Sequence, residues 1–580
     1  MSGSFGRSLF LVGWLALGTT LLHGQSTNVL TWHNDIGRTG LNSTETILTQ
    51  TNVNKTQFGK ICSSASGTID GQLIAQPLVT TGTITGHNHV VYVATMNDSV
   101  YAFDGDSSTC ALINHVSLLP KGEQAVSCAA VGDRQCHALA PIIGILSTPV
   151  IDLATHTIYV VTYSESTNPK CLAAPVLPPS PCFVHRLHAL DLATLKEKFS
   201  GPTPIAGTAG GIAFQSRGHI QRPGLLLLPK AFPNGDSGLY VGLSMIDGAP
   251  KRPNGWVFGF DAKRLRAKPY VFTTTPGAQA GGGGVWGSGA GIAVGADSPG
   301  GKTYLYFTTG DGVFDQTKQD FGDSFVKLTP ALNLVPNGFF TPYDEDCLES
   351  KDLDLGSSGV MLIPDGVGSG TTNFAVTAGK DGNIYVMDRA NPGGYNGTAP
   401  GCPGQGSNQN IETFLGSKFS YHTTAAYWNQ QIYFVGGKSP MNKYQISSTC
   451  TPAPVCTVPV ATSTNSFLYG PVPSLSSNAN VSGTAVVWAI QGDAWPSLKT
   501  VPAPAILHAY DAEHVGSNNS LPELWNSAQC HTRDLAGNSL KFTVPTIANG
   551  MVYIGTMDPT DSTNTRGELD VYGLVSGSCN

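Results

Sequence analysis

The sequence has 580 residues, of which 12% are charged, with a net charge of -7, 69 glycines and 38 prolines. That balance excludes a mainly helical or coiled-coil chain and predicts a turn-rich, β-rich one. With no basic run it also excludes nucleic acid or an anionic membrane surface as a partner held by charge.

The first segment, Met1 to Gly24, carries Arg7, the apolar run Leu9 to Leu17, then Leu21 and Leu22 before His23 and Gly24. A basic start and an apolar stretch short for a bilayer predict a secretory signal peptide over residues 1–24. No cysteine follows it as a lipid attachment point, and no later stretch is apolar enough to span a membrane. Secretion or a periplasmic location makes the 12 cysteines candidates for disulfides. The close pairs Cys128/Cys136, Cys171/Cys182 and Cys450/Cys456 could each staple a loop, although spacing does not fix connectivity.

Beyond Asn28 to Pro77, hairpin patterns recur in which an apolar "YV" strand is followed by a second strand ending in an aromatic or apolar residue, most often before Asp. They are Val90–Asp104, Thr157–Asp191, Leu239–Asp261, Tyr304–Leu328, Phe374–Asp388, Gln431–Ile446, Ala485–Asp511 and Met551–Leu574. Their spacing of about 50 to about 80 residues fits blades with long loops better than a strict solenoid. Each hairpin has apolar faces that need a neighbour, and closing the circle removes exposed sheet edges. The expected fold is therefore all-β, an eight-bladed β-propeller of four-stranded antiparallel blades. It forms a single domain over residues 25–580, with the segment before the first hairpin completing the last blade.

Trp32, Asn52-Val53, the run Gln72 to Val79 (QLIAQPLV) and the Val90–Asp104 hairpin resemble the start of the quinoprotein alcohol dehydrogenases, which depend on pyrroloquinoline quinone (PQQ). The resemblance continues in order to the C-terminus and covers most of the chain. It implies PQQ held at the propeller centre over a tryptophan, with Ca²⁺ beside it and an aspartate as base. The cation polarises a quinone carbonyl while the carboxylate takes the substrate hydroxyl proton.

Four segments carry the implied site. Gly281–Asp311 (GGGGVWGSGAGIAVGADSPGGKTYLYFTTGD) is similar to the family's GGxxWGWxxYDP...YYGTGN, which places Trp286 as the floor and Asp311 where a metal-binding Asn sits. Thr341–Ile363 (TPYDEDCLESKDLDLGSSGVMLI) resembles TPHDxWDYxGxxxMML, which makes Asp354 the base and a metal ligand, with Asp352 as the rival register. Ala378–Arg389 (AGKDGNIYVMDR) resembles AxRNGxxYVLDR, which sets Lys380 against a quinone oxygen. Leu239–Asp261 brings Asp247 near the place of a metal-binding Glu.

The departures are as specific. No two cysteines are adjacent, Ile74 stands in the place of a cofactor-binding Glu, and the second blade's Arg has no counterpart. Losing those contacts weakens the grip on a tricarboxylate. No C-x-x-C-H haem motif, GxSxG elbow or metal-spaced histidine set occurs. Two readings follow. One is a dehydrogenase oxidising an alcohol or sugar and passing electrons to an external acceptor. The other is a non-catalytic scaffold that binds a protein or glycan partner. His33, His185 and His188 are expected to be hydrogen-bonded structural residues.

Overall fold

The computed structural model describes residues 27–131, 141–172, 182–246, 253–277, 281–397, 408, 411–494, 502–530, 532–577 and 579. The signal-peptide segment 1–24, Cys136 and Asp247 lie outside the described residues.

Eight antiparallel blades form the ring. Their central hairpins are those expected: His87–Ala94 with Ser99–Asp104, Thr157–Ser166 with Phe183–Asp191, Gly238–Met245 with Trp256–Asp261, and Thr303–Thr308 with Phe325–Leu328. Phe374–Ala378 with Asn383–Asp388, Gln431–Val435 with Ser439–Gln445, Val486–Gln491 with Ile506–Asp511, and Met551–Met557 with Gly567–Leu574 complete the circle. Five blades are plain four-stranded sheets, whereas the second, third and seventh carry extra short strands.

Strand alternation builds the core between blades, because successive side chains point to opposite faces. Ile158 and Val160 pack toward the first blade, while Tyr159 and Val161 pack toward the third. Ile432 and Phe434 likewise meet the fifth blade, and Tyr433 and Val435 the seventh. On four of these strands a recurrent tyrosine adds a polar tie as well. Tyr92, Tyr159, Tyr433 and Tyr553 donate their hydroxyls to Leu192, Ala262, Ala512 and Gly105 O, each one residue past the aspartate that ends the next blade's hairpin. Those aspartates in turn accept backbone N–H groups from the following turn, as Asp261 does from Lys263 and Arg264. The recurring motif thus contains both partners of an inter-blade contact.

The N-terminal segment closes the molecule twice. Phe58–Ser63 pairs antiparallel with Gly567–Leu574 as the outer strand of the last blade. Upstream, the stretch from Ile36 to Gly40 crosses the inner strands, its carbonyls accepting from Val294, Leu362, Tyr427 and Leu475 N–H. Buried Arg38 and His33 anchor this crossing, and both His33 ring nitrogens meet carbonyls, of Arg38 and Pro473.

Candidate functional site

Trp286, Asp311, Asp354 and Lys380 line one cavity of ≈ 200 Å³. Their convergence follows from blade order, since all four sit where the fourth and fifth blades meet the centre. Trp286 precedes the turn Gly287–Gly289 that leads to Ala293–Ala296, and Asp311 follows Thr303–Thr308. Asp354 lies between the helix Glu345–Lys351 and the turn Leu355–Ser357, and Lys380 is in the tight turn between Phe374–Ala378 and Asn383–Asp388. Trp286 is half-buried, with His422 and Phe542 edge-to-face at 6.0 and 5.8 Å.

The carboxylates are organised around Asp354. Its Oδ1 accepts the Asp311 N–H at 2.9 Å, and its Oδ2 lies 2.5 Å from Lys380 Nζ. Burial opposes its charge, but the hydrogen bond from the Asp311 carboxyl and the Lys380 cation hold it below the usual carboxylate range. Asp311 takes the other role: burial, then the hydrogen bond and charge of Asp354, push it up to about 10. Lys380 is raised despite burial, by Asp354 and Asp352, with which it also forms an ion pair. Two converging carboxyls therefore share one proton and one lysine.

Asp352, the rival register, joins the cluster instead of being excluded from it. Ligand oxygens of Asp311, Asp352 and Asp354 all lie within 4.8 Å of one another. Oxygens that bind one Ca²⁺ at about 2.3–2.6 Å can be that far apart. Asp311 Oδ1 is buried without a hydrogen-bond partner. The acidic loop was readable, but the joint presence of Asp352 and Asp354 needed the αL turn at Asp352, with φ 56°, which brings both back toward Lys380.

The same cavity is lined by two cations that the motifs missed, Arg222 and Lys541, which lie 5.7 and 5.9 Å from the Phe542 ring centre. Arg222 comes from the third blade, between His219–Ile220 and Leu226–Leu228, and Lys541 precedes Thr546–Ala548 of the eighth. A Cβ on Gly289, at φ +106°, would lie 2.5 Å from Arg222 Nη1, so this glycine clears the guanidinium's place. His422 also lines the cavity, and burial pulls it down to about 4, leaving it neutral.

No family model and no curated protein matches the sequence. Among solved structures it is similar to a quinohemoprotein alcohol dehydrogenase from Pseudomonas putida HK5, at 13% identity and a TM-score of 0.57 over 95% of this chain and 81% of that one. It is also similar to a europium-containing methanol dehydrogenase, at 15% identity and a TM-score of 0.54 over 94% of this chain and 98% of that one. The fold is that of the quinoprotein alcohol dehydrogenases. At such identity the likeness concerns the fold, and chemistry must be argued from the site.

Within this quinoprotein fold Ile74 is 3% exposed and packs with Met96, Val126 and Ile246 in an apolar cluster that Trp286 adjoins. Ile74 therefore contributes packing at this position. His185 differs from expectation: it is buried and stacked on Tyr163 at 3.9 Å, with neither ring nitrogen hydrogen-bonded. His188 does bond Glu197 and Thr162. Disulfides join Cys171–Cys182 and Cys450–Cys456, as the spacing suggested, and also Cys62–Cys110 and Cys530–Cys579. These four disulfides between described residues are compatible with an extracellular or periplasmic protein. Among the described residues no helix is long and apolar enough to cross a membrane.

Proposed function

We propose that this chain is a PQQ- and Ca²⁺-dependent dehydrogenase that oxidises an alcohol or sugar outside the cytoplasm and passes the electrons to an external acceptor. It works as one closed propeller, residues 25–580, after loss of the signal peptide 1–24. The observation that carries the reading is the arrival of Trp286, Asp311, Asp354 and Lys380 in one cavity.

The residues present fit both groups. For the cation, three carboxylates come within reach of one ion, and the unpartnered Asp311 Oδ1 is a buried acceptor without a donor. For the quinone, half-buried Trp286 offers an aromatic surface in a cavity that Lys380, Arg222 and Lys541 also line. Asp247 keeps its place as a candidate ligand from the sequence alone. Bound PQQ would supply the two-electron oxidant. Asp354 is the base, receiving the substrate hydroxyl proton on its carboxylate. Lys380 keeps that carboxylate ionised before the transfer and stabilises negative charge beside it afterwards. Asp311 N–H fixes the carboxylate's orientation through Oδ1.

Mixing the metal-free, quinone-free protein with PQQ and Ca²⁺ should give a bound-quinone absorption change. Eu³⁺ in place of Ca²⁺ adds a luminescence readout of the cation site itself. Absence of both signals overturns the dehydrogenase reading. The scaffold reading, in which the propeller binds a protein or glycan, then takes its place, and Ile74 favours it because the position offers packing only.

A further inference from the structure

Three arginines are among the largest fully buried side chains: Arg38, Arg222 and Arg389. Desolvating a guanidinium is costly unless its charge is matched and its N–H groups are bonded. Arg38 meets this with a cage, Nε and both Nη atoms reaching Thr31 Oγ1 and the Trp32 and Ile292 carbonyls. Arg389 meets it with a carboxylate, Asp365, at 2.7 Å.

Arg222 has neither. Its Nη1 donates to Leu146 O at 2.9 Å and its Nη2 to Phe542 O at 3.3 Å, while Nε has no partner. No described carboxylate pairs with it, and burial pulls it down to about 9. It is also the one of the three that lines the central cavity. Lys541 lines the cavity with it, its Nζ 5.9 Å from the Phe542 ring centre, and is itself lowered by burial. Of the carboxylates that line the cavity, Asp354 is ion-paired with Lys380, and none of them is in ion-pair contact with Arg222.

We infer that Arg222 and Lys541 form an anion-binding pole in the cavity, which takes a carboxylate of a flat, ring-bearing ligand. The ring follows from the aromatic lining, where Trp286 and Phe542 meet edge-to-face at 5.8 Å and both border the cavity. The carboxylate follows from a planar donor fork that lacks a counter-ion. It comes either from the quinone cofactor or from a substrate acid. This deepens the dehydrogenase reading and rests on it for the cofactor source, but the pole itself does not.

The probe is benzoate, with benzyl alcohol as the neutral control, titrated calorimetrically into the protein without PQQ or metal. Benzoate should bind at least tenfold more tightly than benzyl alcohol. Lys541→Gln should weaken it severalfold and Arg222→Gln tenfold or more. Arg222→Lys, which keeps the charge and loses the fork, guards against a misfolded Gln variant and should fall between them. Equal affinity for the two probes, or benzoate binding indifferent to Arg222→Lys and Lys541→Gln, overturns the pole. Competition of benzoate with PQQ assigns the carboxylate to the cofactor, and simultaneous binding assigns it to a substrate; both outcomes support the pole. If benzoate binds as expected while PQQ with Ca²⁺ gives no bound-quinone signal, the dehydrogenase reading falls and the pole stands. If PQQ loads with unchanged affinity in both variants and benzoate does not bind, the pole falls and the dehydrogenase reading stands.

Discussion

Two places in this molecule bury a lysine against a pair of acids, and they end differently. Where the ring closes, Lys60 lies 2.6 Å from Asp570, with Glu568 at 3.9 Å. Asp570 also accepts from Ser63 Oγ, Gly537 N–H and Thr556 Oγ1. Burial resists its charge, but Lys60 and these donors keep it ionised, while burial and Asp570 push Glu568 up to about 8. At the centre Lys380, Asp354 and Asp311 repeat the same division of charge, one acid held down and one raised. There, however, Asp311 Oδ1 has no donor and the group faces a cavity. The ring closure uses up its hydrogen-bonding capacity within the chain, whereas the centre keeps some in reserve. The same division of charge thus makes a strut in one place and, in the function proposed above, a binding site in the other.

The largest effect expected from this contrast is on activity. In protein loaded with PQQ and Ca²⁺, Asp354→Asn should lower dye-linked alcohol oxidation by about 10²- to 10⁴-fold, because Asn keeps the size and loses the basicity. The thermal midpoint should move little, since Lys380 retains Asp352. Activity that survives the change would remove Asp354 as the base.

Stability should respond in the opposite place. Lys60→Met strands the fully buried Asp570 charge and should cost about 3–5 kcal/mol in denaturant unfolding. Lys380→Met should cost less, about 1–3 kcal/mol, because the cavity lets water reach the carboxylates it leaves behind. Equal costs would mean that the centre is a strut as well.

This contrast also explains what the sequence could reveal. The blades were legible because tyrosine and aspartate of the recurring hairpin are partners in one inter-blade bond, as Tyr159 and the Asp261 turn illustrate. Trp286, Asp311, Asp354 and Lys380 were legible because each lies within a short motif in blade order. Arg222 and Lys541 were not, since what matters about Arg222 is a missing counter-ion, and its partners Leu146 and Phe542 are 76 and 320 residues away. A local pattern cannot encode the absence of a distant carboxylate.

A third buried acid tests the electrostatic side of the comparison with neither lysine nor central cavity. Glu412 is 8% exposed, its Oε1 has no partner and its Oε2 accepts only the Val455 N–H at 3.3 Å. Burial pushes it up from 4.5 to about 7. The folded chain therefore holds this proton more tightly than the unfolded one. The stability this contributes is complete below pH 4.5, declines as pH rises through the interval to about 7, and is gone above it. Glu412→Gln removes the ionisation while keeping an acceptor for Val455. Relative to the parent protein it should gain about 1–3 kcal/mol at pH 8 and nothing at pH 4, read from denaturant midpoints at the two pH values. Glu568 and Asp311 are raised as well, so removing Glu412 should lessen the alkaline loss of stability by its own share and leave theirs in place. A gain of the same size at both pH values would assign the effect to packing and leave the charge argument without support at this position.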